Sequence, residues 1–208
     1  MPALLTLAFL LLASSAAIAQ LPAPKDVGAD LRSTDAAKRR DAVQKLIYGK
    51  GTAQDSALMD AVSAEKEPQL RSELLRAASM RGGDDAVFAL IEALAGDRSV
   101  VVRLSAAQEL GRQSASQEAL FSLVDALTLD ADPGVRAACA KGLAFRKESA
   151  AVQALIEAAA DQDALVRAET AFALARQVKS RDIDAALDRL ANDQDPRVAQ
   201  AVLRWRRK

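Results

Sequence analysis

Arginine recurs along this chain at a nearly constant interval, with an acidic residue at a fixed distance before it. The anchor arginines are Arg39, Arg71, Arg103, Arg136 and Arg167, at intervals of 32, 32, 33 and 31 residues. An acidic residue stands six positions before each later member of this register. Glu65, Asp97, Asp130 and Asp161 precede the last four arginines, and Asp193 precedes Ala199, which occupies the sixth position. A register present in every unit favours an architectural contact over a ligand site, and a period near 32 residues indicates stacked supersecondary units.

The residue types required by the commonest enzyme chemistry are scarce. The chain has no histidine, which excludes Ser-His and Cys-His arrangements and histidine metal sites. Cys139 is the only cysteine, and we expect a small buried hydrophobe there rather than a reactive thiol. Acidic pairs such as Asp84-Asp85 fall at predicted helix starts, where the helix dipole favours them. We therefore expect no catalytic residues, no metal site and no cofactor.

A second register has the composition of a binding surface. Two positions of each repeat, five and nine residues after the anchor, are predicted to lie on the second helix, on the side away from the first helix. These slots contain no acid and combine Arg or Lys with Tyr, Met and Phe, although aromatic residues make up only 3% of the chain. Arginine and aromatic residues are enriched at binding hot spots. We call this surface the helix-B ridge, and its candidate partner-binding residues are Tyr48, Arg76, Met80, Arg112, Lys141, Phe145, Phe172, Arg176 and Arg204.

A third register is acidic and is predicted to point outward from the first helix. It contains Asp60, Glu92, Asp125, Glu157 and Asp188. The chain carries 28 basic and 28 acidic residues, so this pattern predicts a polarised molecule with an acidic convex face and a basic, apolar concave face. The alternative is a solvated surface whose charges pair locally, each pair contributing little. Zero net charge also argues against nucleic-acid binding, which favours a strongly basic domain.

Two predicted helices position these side chains in each repeat. Helix A shows apolar residues at 3.6-residue spacing, as in Val87, Leu90, Ile91 and Leu94. Helix B begins four residues before the anchor, at Asp35, Glu67, Ser99, Asp132, Asp163 and Asp195, which we expect to be N-caps. Proline follows three of these caps, at the first helical position, where its missing amide is not needed. The pair Gly82-Gly83 is typical of a helix C-cap with a link.

The repeat register defines the organisation of the chain. Residues 33–208 form the repeat domain, and residues 20–32 form a linker that offers only Val27 and Leu31 toward a helix A. The first unit therefore lacks a convincing helix A. The predicted units are 33–50, an N-terminal half repeat, and 51–82, 83–115, 116–147, 148–178 and 179–208. Atypical terminal units are expected, because an end repeat has a face without a neighbour.

Over roughly residues 33–208 the chain resembles HEAT repeats, specifically the short bacterial type seen in bilin-lyase-like proteins. The resemblance depends on the six-residue Asp-to-Arg spacing and on the motif Val-Arg-x-x-Ala at Val102-Arg103, Val135-Arg136 and Val166-Arg167. It implies an all-α fold, a right-handed α-solenoid of about five and a half HEAT-like repeats. It also implies a hydrogen-bonded ladder that links successive repeats. The ladder residues would be Arg71, Asp97, Arg103, Asp130, Arg136, Asp161, Arg167 and Asp193.

The N-terminal residues have the pattern of an export signal. The first 24 residues carry no charged side chain, and an apolar stretch over 4–13 passes into small residues. Ala17-Ile18-Ala19 fits the small-x-small cleavage pattern, so we expect residues 1–19 to be a signal peptide cut after Ala19. The alternative is a retained membrane anchor, since an uncharged stretch of this length could span a bilayer. Cleavage predicts a periplasmic or secreted protein without a stable membrane anchor.

These observations favour a non-catalytic scaffold or adaptor that binds protein partners on the concave helix-B face, as a monomer. The resemblance leaves a second function open, a bilin-lyase-like enzyme or small-ligand binder built on the same repeats. The absence of histidine and the export signal count against that function. A third function, a HEAT-like nucleic-acid repair protein, would require cytosolic residence and aromatic residues around an acid. Export and the low aromatic content disfavour it.

Overall fold

The structure, a computed structural model, describes residues 25–49 and 51–206, and these residues form an all-α solenoid. Twelve helices and two short strands occur within the described ranges. In chain order they are β1 (Lys25–Asp26), α1 (Gly28–Leu31), α2 (Ala36–Ile47), β2 (Gly51–Thr52), α3 (Asp55–Ala64), α4 (Pro68–Arg81), α5 (Asp84–Gly96), α6 (Val100–Leu110), α7 (Gln117–Leu129), α8 (Pro133–Gly142), α9 (Ser149–Ala158), α10 (Ala164–Leu174), α11 (Arg181–Ala191) and α12 (Pro196–Arg206). The predicted right-handed α-solenoid of about five and a half repeats is confirmed.

The helices alternate between two layers. The A layer contains α1, α3, α5, α7, α9 and α11, and the B layer contains the six even-numbered helices. The B helices contact one another more extensively than the A helices do, as expected for the inner side of a curved stack. Between the layers lies a core of Leu, Val and Ala, in which Leu110 and Leu143 are completely buried.

Two glycines allow the B helices to approach closely. A Cβ atom added to Gly111 would lie 2.8 Å from the Cα of Gly142. Gly111 caps α6 and Gly142 ends α8, so the backbones of two successive repeats meet at this point. A larger residue at Gly111 would force this pair apart, because packed backbone cannot yield as a flexible side chain can.

The beginning of the domain differs from the sequence prediction. The segment expected as a linker over 20–32 is part of the fold from Lys25 onward, since β1 pairs in parallel with β2. Val27 and Leu31 are buried in the core, and the Val27 amide donates to the carbonyl of Thr52 at 2.8 Å. This strand pair and the single turn of α1 cover the first full repeat, in place of a complete helix A.

The predicted helix boundaries agree with the structure, but two caps work differently from the prediction. The Asp35, Asp132 and Asp163 side chains accept backbone amides in the first turns of α2, α8 and α10. Glu67 and Ser99 are the N-cap residues of α4 and α6, yet their side chains make no capping hydrogen bond.

At these two starts the acid two residues upstream accepts the amide of the N-cap residue, from Glu67 to Glu65 and from Ser99 to Asp97. Gly82 ends α4 with a φ of 79° and Gly83 precedes α5 with a φ of 93°. The cap and link predicted there are confirmed.

The expectations for the signal peptide over 1–19 concern residues outside those that the structure describes. Within the described ranges, no helix has both the length and the apolar character required to cross a bilayer.

Candidate binding surface on the B helices

A ladder of ion pairs links every pair of successive repeats in the described chain. Each anchor arginine donates from Nε and Nη2 to the two carboxylate oxygens of an acid in the next repeat, at 2.7–3.1 Å. The pairs are Arg39 with Glu65, Arg71 with Asp97, Arg103 with Asp130, Arg136 with Asp161, and Arg167 with Asp193. This bidentate geometry is the strongest arrangement available to a guanidinium and a carboxylate.

Each pair also connects to the backbone. The Nη1 atom of every anchor donates to the carbonyl oxygen of the residue six positions earlier, at 2.7–3.0 Å. Each ladder acid accepts the amide of the residue two positions later, at 2.8–3.0 Å. Each guanidinium therefore binds the backbone that precedes helix B in its own repeat and also the carboxylate of the next repeat. With donors committed in this way, the anchors are unsuited to bind a ligand.

The ladder changes the acid–base properties of its members. The hydrogen bond from Arg39 is the main cause that lowers the pKa of Glu65 below 4.5, and Arg167 lowers the pKa of Asp193 in the same way. Burial alone would raise the pKa of Asp97. The hydrogen bonds from Arg71 and from a backbone amide outweigh that effect, so this pKa is also lowered. The ladder carboxylates are consequently held in their ionised form.

The lone cysteine has no part in a reactive site. Cys139 is completely buried, and burial raises the pKa of its thiol well above the usual range. A buried, protonated thiol is a poor nucleophile, so the prediction of a small buried hydrophobe is confirmed. Among the described residues, no group of His, Cys, Asp and Glu is arranged to bind a metal ion.

The helix-B ridge lies at the surface of the B layer. Tyr48, Met80 and Phe145 have relative exposures of 70%, 59% and 69%. Arg76, Arg112, Lys141 and Arg204 are also exposed, whereas Phe172 and Arg176 are partly buried. Exposed large apolar side chains that cluster on one face mark a candidate contact surface.

The structure brings the central ridge residues together in one groove. This groove has a volume of about 530 Å³ and crosses α6, α8 and the start of α10. Arg112, Lys141 and Phe145 line it, together with Leu104 and Leu165. The close approach of Gly111 and Gly142 forms part of its floor. The groove thus combines side chains from three successive repeats, which is the arrangement needed to contact an extended partner.

A stacked arginine lies at one end of the groove. The Arg176 guanidinium carbon is 3.6 Å from the ring centroid of Phe172 and 5.5 Å from that of Phe145. Arg176 also donates to the carbonyl of Phe172. A cation over aromatic faces is attracted by the ring quadrupole, and the two rings fix the orientation of this side chain. Of the predicted ridge residues, Tyr48, Arg76, Met80, Phe172, Arg176 and Arg204 do not line the groove.

Acidic residues at a neighbouring position on the B helices were missed by the sequence analysis. Glu169, two residues after its anchor, lines the groove, and Glu109 forms an ion pair with Arg112. The ridge positions themselves contain no acid. The position two residues after the anchor nevertheless lies on the same helical face as the ridge positions, because residues three and four apart are neighbours on a helix. Among the described residues, Lys141 and Arg76 have no ionic partner. The groove is therefore lined by two cations, Arg112 and Lys141, and one acid, Glu169, and Arg112 is paired with Glu109.

Charge is segregated between the two layers. The A helices contain 12 acidic and two basic residues, whereas the B helices contain 14 basic and four acidic residues. Five of the B-layer cations are the anchors, whose charge is matched by the ladder acids in the links. The remaining nine still exceed the four acids. The neutral chain consequently has an acidic A face and a basic B face.

A second set of contacts, which we call the link contacts, joins the ends of the B helices and was also missed. It involves Gln113, Arg146 and Gln177, each ten residues after an anchor. Gln113 donates to Oγ of Ser79, and Gln177 donates to the carbonyl of Ala144, each in the preceding repeat. Arg146 is only 4% exposed and donates to carbonyl oxygens of the preceding link, those of Gln113, Ser114 and Ser116.

Comparison with known proteins supports the repeat assignment. Residues 89–175 match the family model for HEAT repeats. This range extends from α5 to the end of α10 and contains the groove. The resemblance to HEAT repeats is confirmed. No curated protein gives a significant match to the chain.

Solved structures show the same fold. An engineered protein from the Northeast Structural Genomics Consortium is 24% identical, covering 86% of this chain and 95% of its own, with a TM-score of 0.53. A designed armadillo repeat protein in complex with the peptide (KR)4 is 18% identical, covering 86% and 97%, with a TM-score of 0.53. A second designed armadillo repeat protein is 18% identical, covering 86% and 98%, with a TM-score of 0.51. At these identities the similarity concerns the fold alone.

Proposed function

Starting from a solenoid that contains HEAT repeats, we propose that this protein is an exported, non-catalytic scaffold that binds a protein partner on the helix-B ridge. The observation that carries this proposal is the groove across α6, α8 and α10. Arg112, Lys141 and Phe145, which come from two successive repeats, line it, and Arg176 of a third repeat lies beside it, 5.5 Å from the ring centroid of Phe145. Repeat solenoids commonly bind partners on such extended inner surfaces.

The chemistry of the groove favours a partner segment with carboxylates next to apolar side chains. Lys141 supplies a cation without an ionic partner among the described residues, and Phe145 supplies an exposed ring. The designed armadillo protein solved with (KR)4 supports peptide binding by this fold in general. The charge requirement here is the opposite, because the helix-B ridge is basic. An extended acidic segment is therefore the proposed occupant.

Preorganisation adds to the case for binding at this position. Arg176 is already stacked on Phe172, so less side-chain freedom is lost when a carboxylate pairs with it. Immobilising a free, rotamer-rich side chain costs about 0.5–1.5 kcal/mol. A guanidinium fixed in advance also presents a planar fork that can bind a carboxylate through two hydrogen bonds.

The test is partner capture by a variant with reversed ridge charge. Affinity capture from envelope and culture-fluid extracts would use mature protein from Gln20 as bait, beside the triple variant Arg112→Glu, Lys141→Glu, Arg176→Glu. We expect the retained partner to be lost, because three cations that face it become anions. The measurement is the amount of each protein retained, with affinity for the purified partner determined afterwards.

A matched control is available on the same chain. Lys66→Glu, Arg98→Glu and Lys179→Glu together change the net charge equally, at exposed positions outside the helix-B ridge. Capture that survives in the ridge variant, or that both triple variants lose equally, would remove the ridge from the proposal. Far-ultraviolet circular dichroism of both variants verifies that they remain folded.

Export has its own test. Expression of the full chain in a Gram-negative host, followed by mass determination of the periplasmic product, should give a protein that begins at Gln20. Replacing Ala17 and Ala19 by leucine should leave the precursor uncleaved, because the small-x-small pattern is lost. A native product that retains residues 1–19 would favour the membrane anchor.

A further inference from the structure

A second groove lies on the opposite face of the molecule, between the A helices α5 and α7. It has a volume of about 530 Å³. Its apolar lining includes Phe88 and Ile91 from α5 and Leu129 from α7. Phe88 is 60% exposed and Leu129 is 78% exposed. Two large apolar side chains therefore stand in solvent on either side of an open groove.

The repeat fold does not require these apolar side chains. The slot of Phe88 contains Ser56 in the preceding repeat and Asp184 in the last one. The slot of Leu129 contains Ala64 and Gly96 in the two preceding repeats. Phe121 occupies the slot of Phe88 one repeat later, but Ser56 and Asp184 show that a repeat also forms without an aromatic ring there. The pair at this groove is therefore not explained by packing. Exposed apolar clusters of this kind mark interaction sites.

The rim of the groove is acidic. Glu118 and Asp125 line it, and neither α5 nor α7 contains a Lys or Arg residue. Asp125 and the nearby Glu92 have no hydrogen-bond or ion-pair partner among the described residues. The charge here is thus uncompensated, in contrast to the ladder acids. A complementary ligand must supply positive charge.

The length of the site indicates the size of the ligand. A neighbouring groove of about 620 Å³ shares Phe88 and Glu118 with the first one but is also lined by Arg112 of the helix-B ridge, so the proposed site is confined to the space between α5 and α7. A helix of 13 residues such as α5 extends over about 20 Å. An extended chain of about six residues covers the same distance.

We propose that the α5/α7 groove binds a segment of a partner protein in which apolar residues alternate with Lys or Arg. The apolar side chains would pack against Phe88, Ile91 and Leu129, and the cations would pair with Asp125 and Glu118. This site is separate from the helix-B ridge and opposite to it in charge. The protein would thereby join two partners of contrasting chemistry, one on each layer.

The probe for this proposal is a fluorescein-labelled octapeptide of alternating Leu and Lys, with alternating Leu and Glu as its control. Fluorescence anisotropy with the mature protein should show binding of the Leu-Lys peptide alone. Phe88→Ala and Leu129→Ala should each weaken binding about tenfold, the loss typical of a hot-spot side chain. Asp125→Asn should weaken binding by a smaller factor. That factor should be larger at low ionic strength, where the attraction between charges is screened less.

Matched variants distinguish a defined groove from general negative charge. Phe121→Ala removes an aromatic ring that occupies the slot of Phe88 one repeat later, is 55% exposed and does not line the groove. Asp60→Asn removes an acid of the same register on α3. Neither variant should change the affinity for the Leu-Lys peptide. Equal weakening by these controls, or absence of Leu-Lys binding, would overturn the proposal.

Two further measurements separate this site from other occupants and from the ridge. The helix-B triple variant should still bind the Leu-Lys peptide, so failure of one site leaves the other testable. Light scattering over a range of concentrations tests self-association. An oligomer that Phe88→Ala abolishes would show that a second copy occupies the groove and would refute a heterologous partner.

Discussion

The two sets of contacts that join successive repeats differ in chemistry: the ladder recurs at all five anchors, and the link contacts follow three of them, Arg103, Arg136 and Arg167. The ladder pairs a guanidinium with a carboxylate, as in Arg136 with Asp161. The link contacts join a side chain mostly to backbone carbonyls, as in Gln177 with Ala144. A pair of side chains needs two defined residue types, which leaves a periodic mark in the sequence. Every residue has a backbone carbonyl that can accept a hydrogen bond. Different donor side chains can therefore make the same contact, and no periodic pair of residue types appears in the sequence.

The largest expected effect comes from breaking the most buried ladder pair. Arg136→Met keeps the length of the side chain but leaves the Asp161 carboxylate without its partner. The two side chains are only 6% and 12% exposed, and removal of one member of a buried pair costs about 3–5 kcal/mol. Urea unfolding followed by backbone circular dichroism measures this loss in the free energy of unfolding.

An exposed pair gives the control for this loss. Arg197 pairs with Asp195, and the Arg197 side chain is 78% exposed, so Arg197→Met should lower the free energy of unfolding far less than Arg136→Met does. If both variants lost the same free energy, burial of the ladder would have no energetic consequence. Unfolding in two steps by Arg136→Met would show that the halves of the solenoid have become uncoupled.

A smaller effect is expected from the link contacts. Arg146→Met removes the donor to three carbonyl oxygens in the link between α6 and α7. We expect a loss of about 2 kcal/mol, because an unsatisfied buried acceptor costs about 1–3 kcal/mol and water can reach part of this link. Hydrogen exchange should accelerate first at residues 111–116. Unchanged exchange there would indicate that the link is ordered without Arg146, and Arg98→Met serves as an exposed control outside this segment.

The pH dependence of the free energy of unfolding also distinguishes the ladder from the link contacts. Near neutral pH it is expected to be the smallest of these effects. The pKa of Glu65 is lowered from 4.5 and that of Asp193 from 3.8. A lowered folded-state pKa gives stability that is complete above the unfolded value and is lost as pH falls through the folded value. The free energy of unfolding should therefore be nearly constant between about pH 5 and 7 and should decline below about pH 4.5.

Variants of the two contact sets should respond differently to acid. Arg136→Met should show a shallower decline, because one ladder carboxylate is no longer held ionised by its arginine. Gln177→Ala should retain the native slope, since an amide does not titrate. Identical slopes in all three proteins would mean that groups outside the ladder determine the acid response.

The parts of the molecule that follow from sequence are those with a repeated pair of residue types. The period of the anchors predicts the solenoid, and the caps at Asp35, Asp132 and Asp163 predict where the B helices begin. The first unit could not be predicted in this way. Val27 and Leu31 are too few for a periodic signal, and the pairing of β1 with β2 depends on backbone groups that every sequence contains.

The candidate sites were predictable only in part. The exposure of the helix-B ridge follows from helical geometry, but the groove depends on how three helices approach one another at Gly111 and Gly142. Glu169 joins this groove from a slot that contains alanine in the neighbouring repeat, at Ala138. The α5/α7 groove depends on Phe88 and Leu129, whose slots differ from repeat to repeat. Features that occur once leave no periodic pattern to detect.

The placement of the aromatic rings has a consequence for optical spectroscopy. Tyr48, Phe88, Phe121 and Phe145 are 55–70% exposed, so these rings are in contact with water in the native state and remain so on unfolding. Their near-ultraviolet absorption and emission should change little when the Leu, Val and Ala core melts. The same signals should respond when a ligand covers a ring. For these four rings, the spectral signals report surface occupancy more than folding.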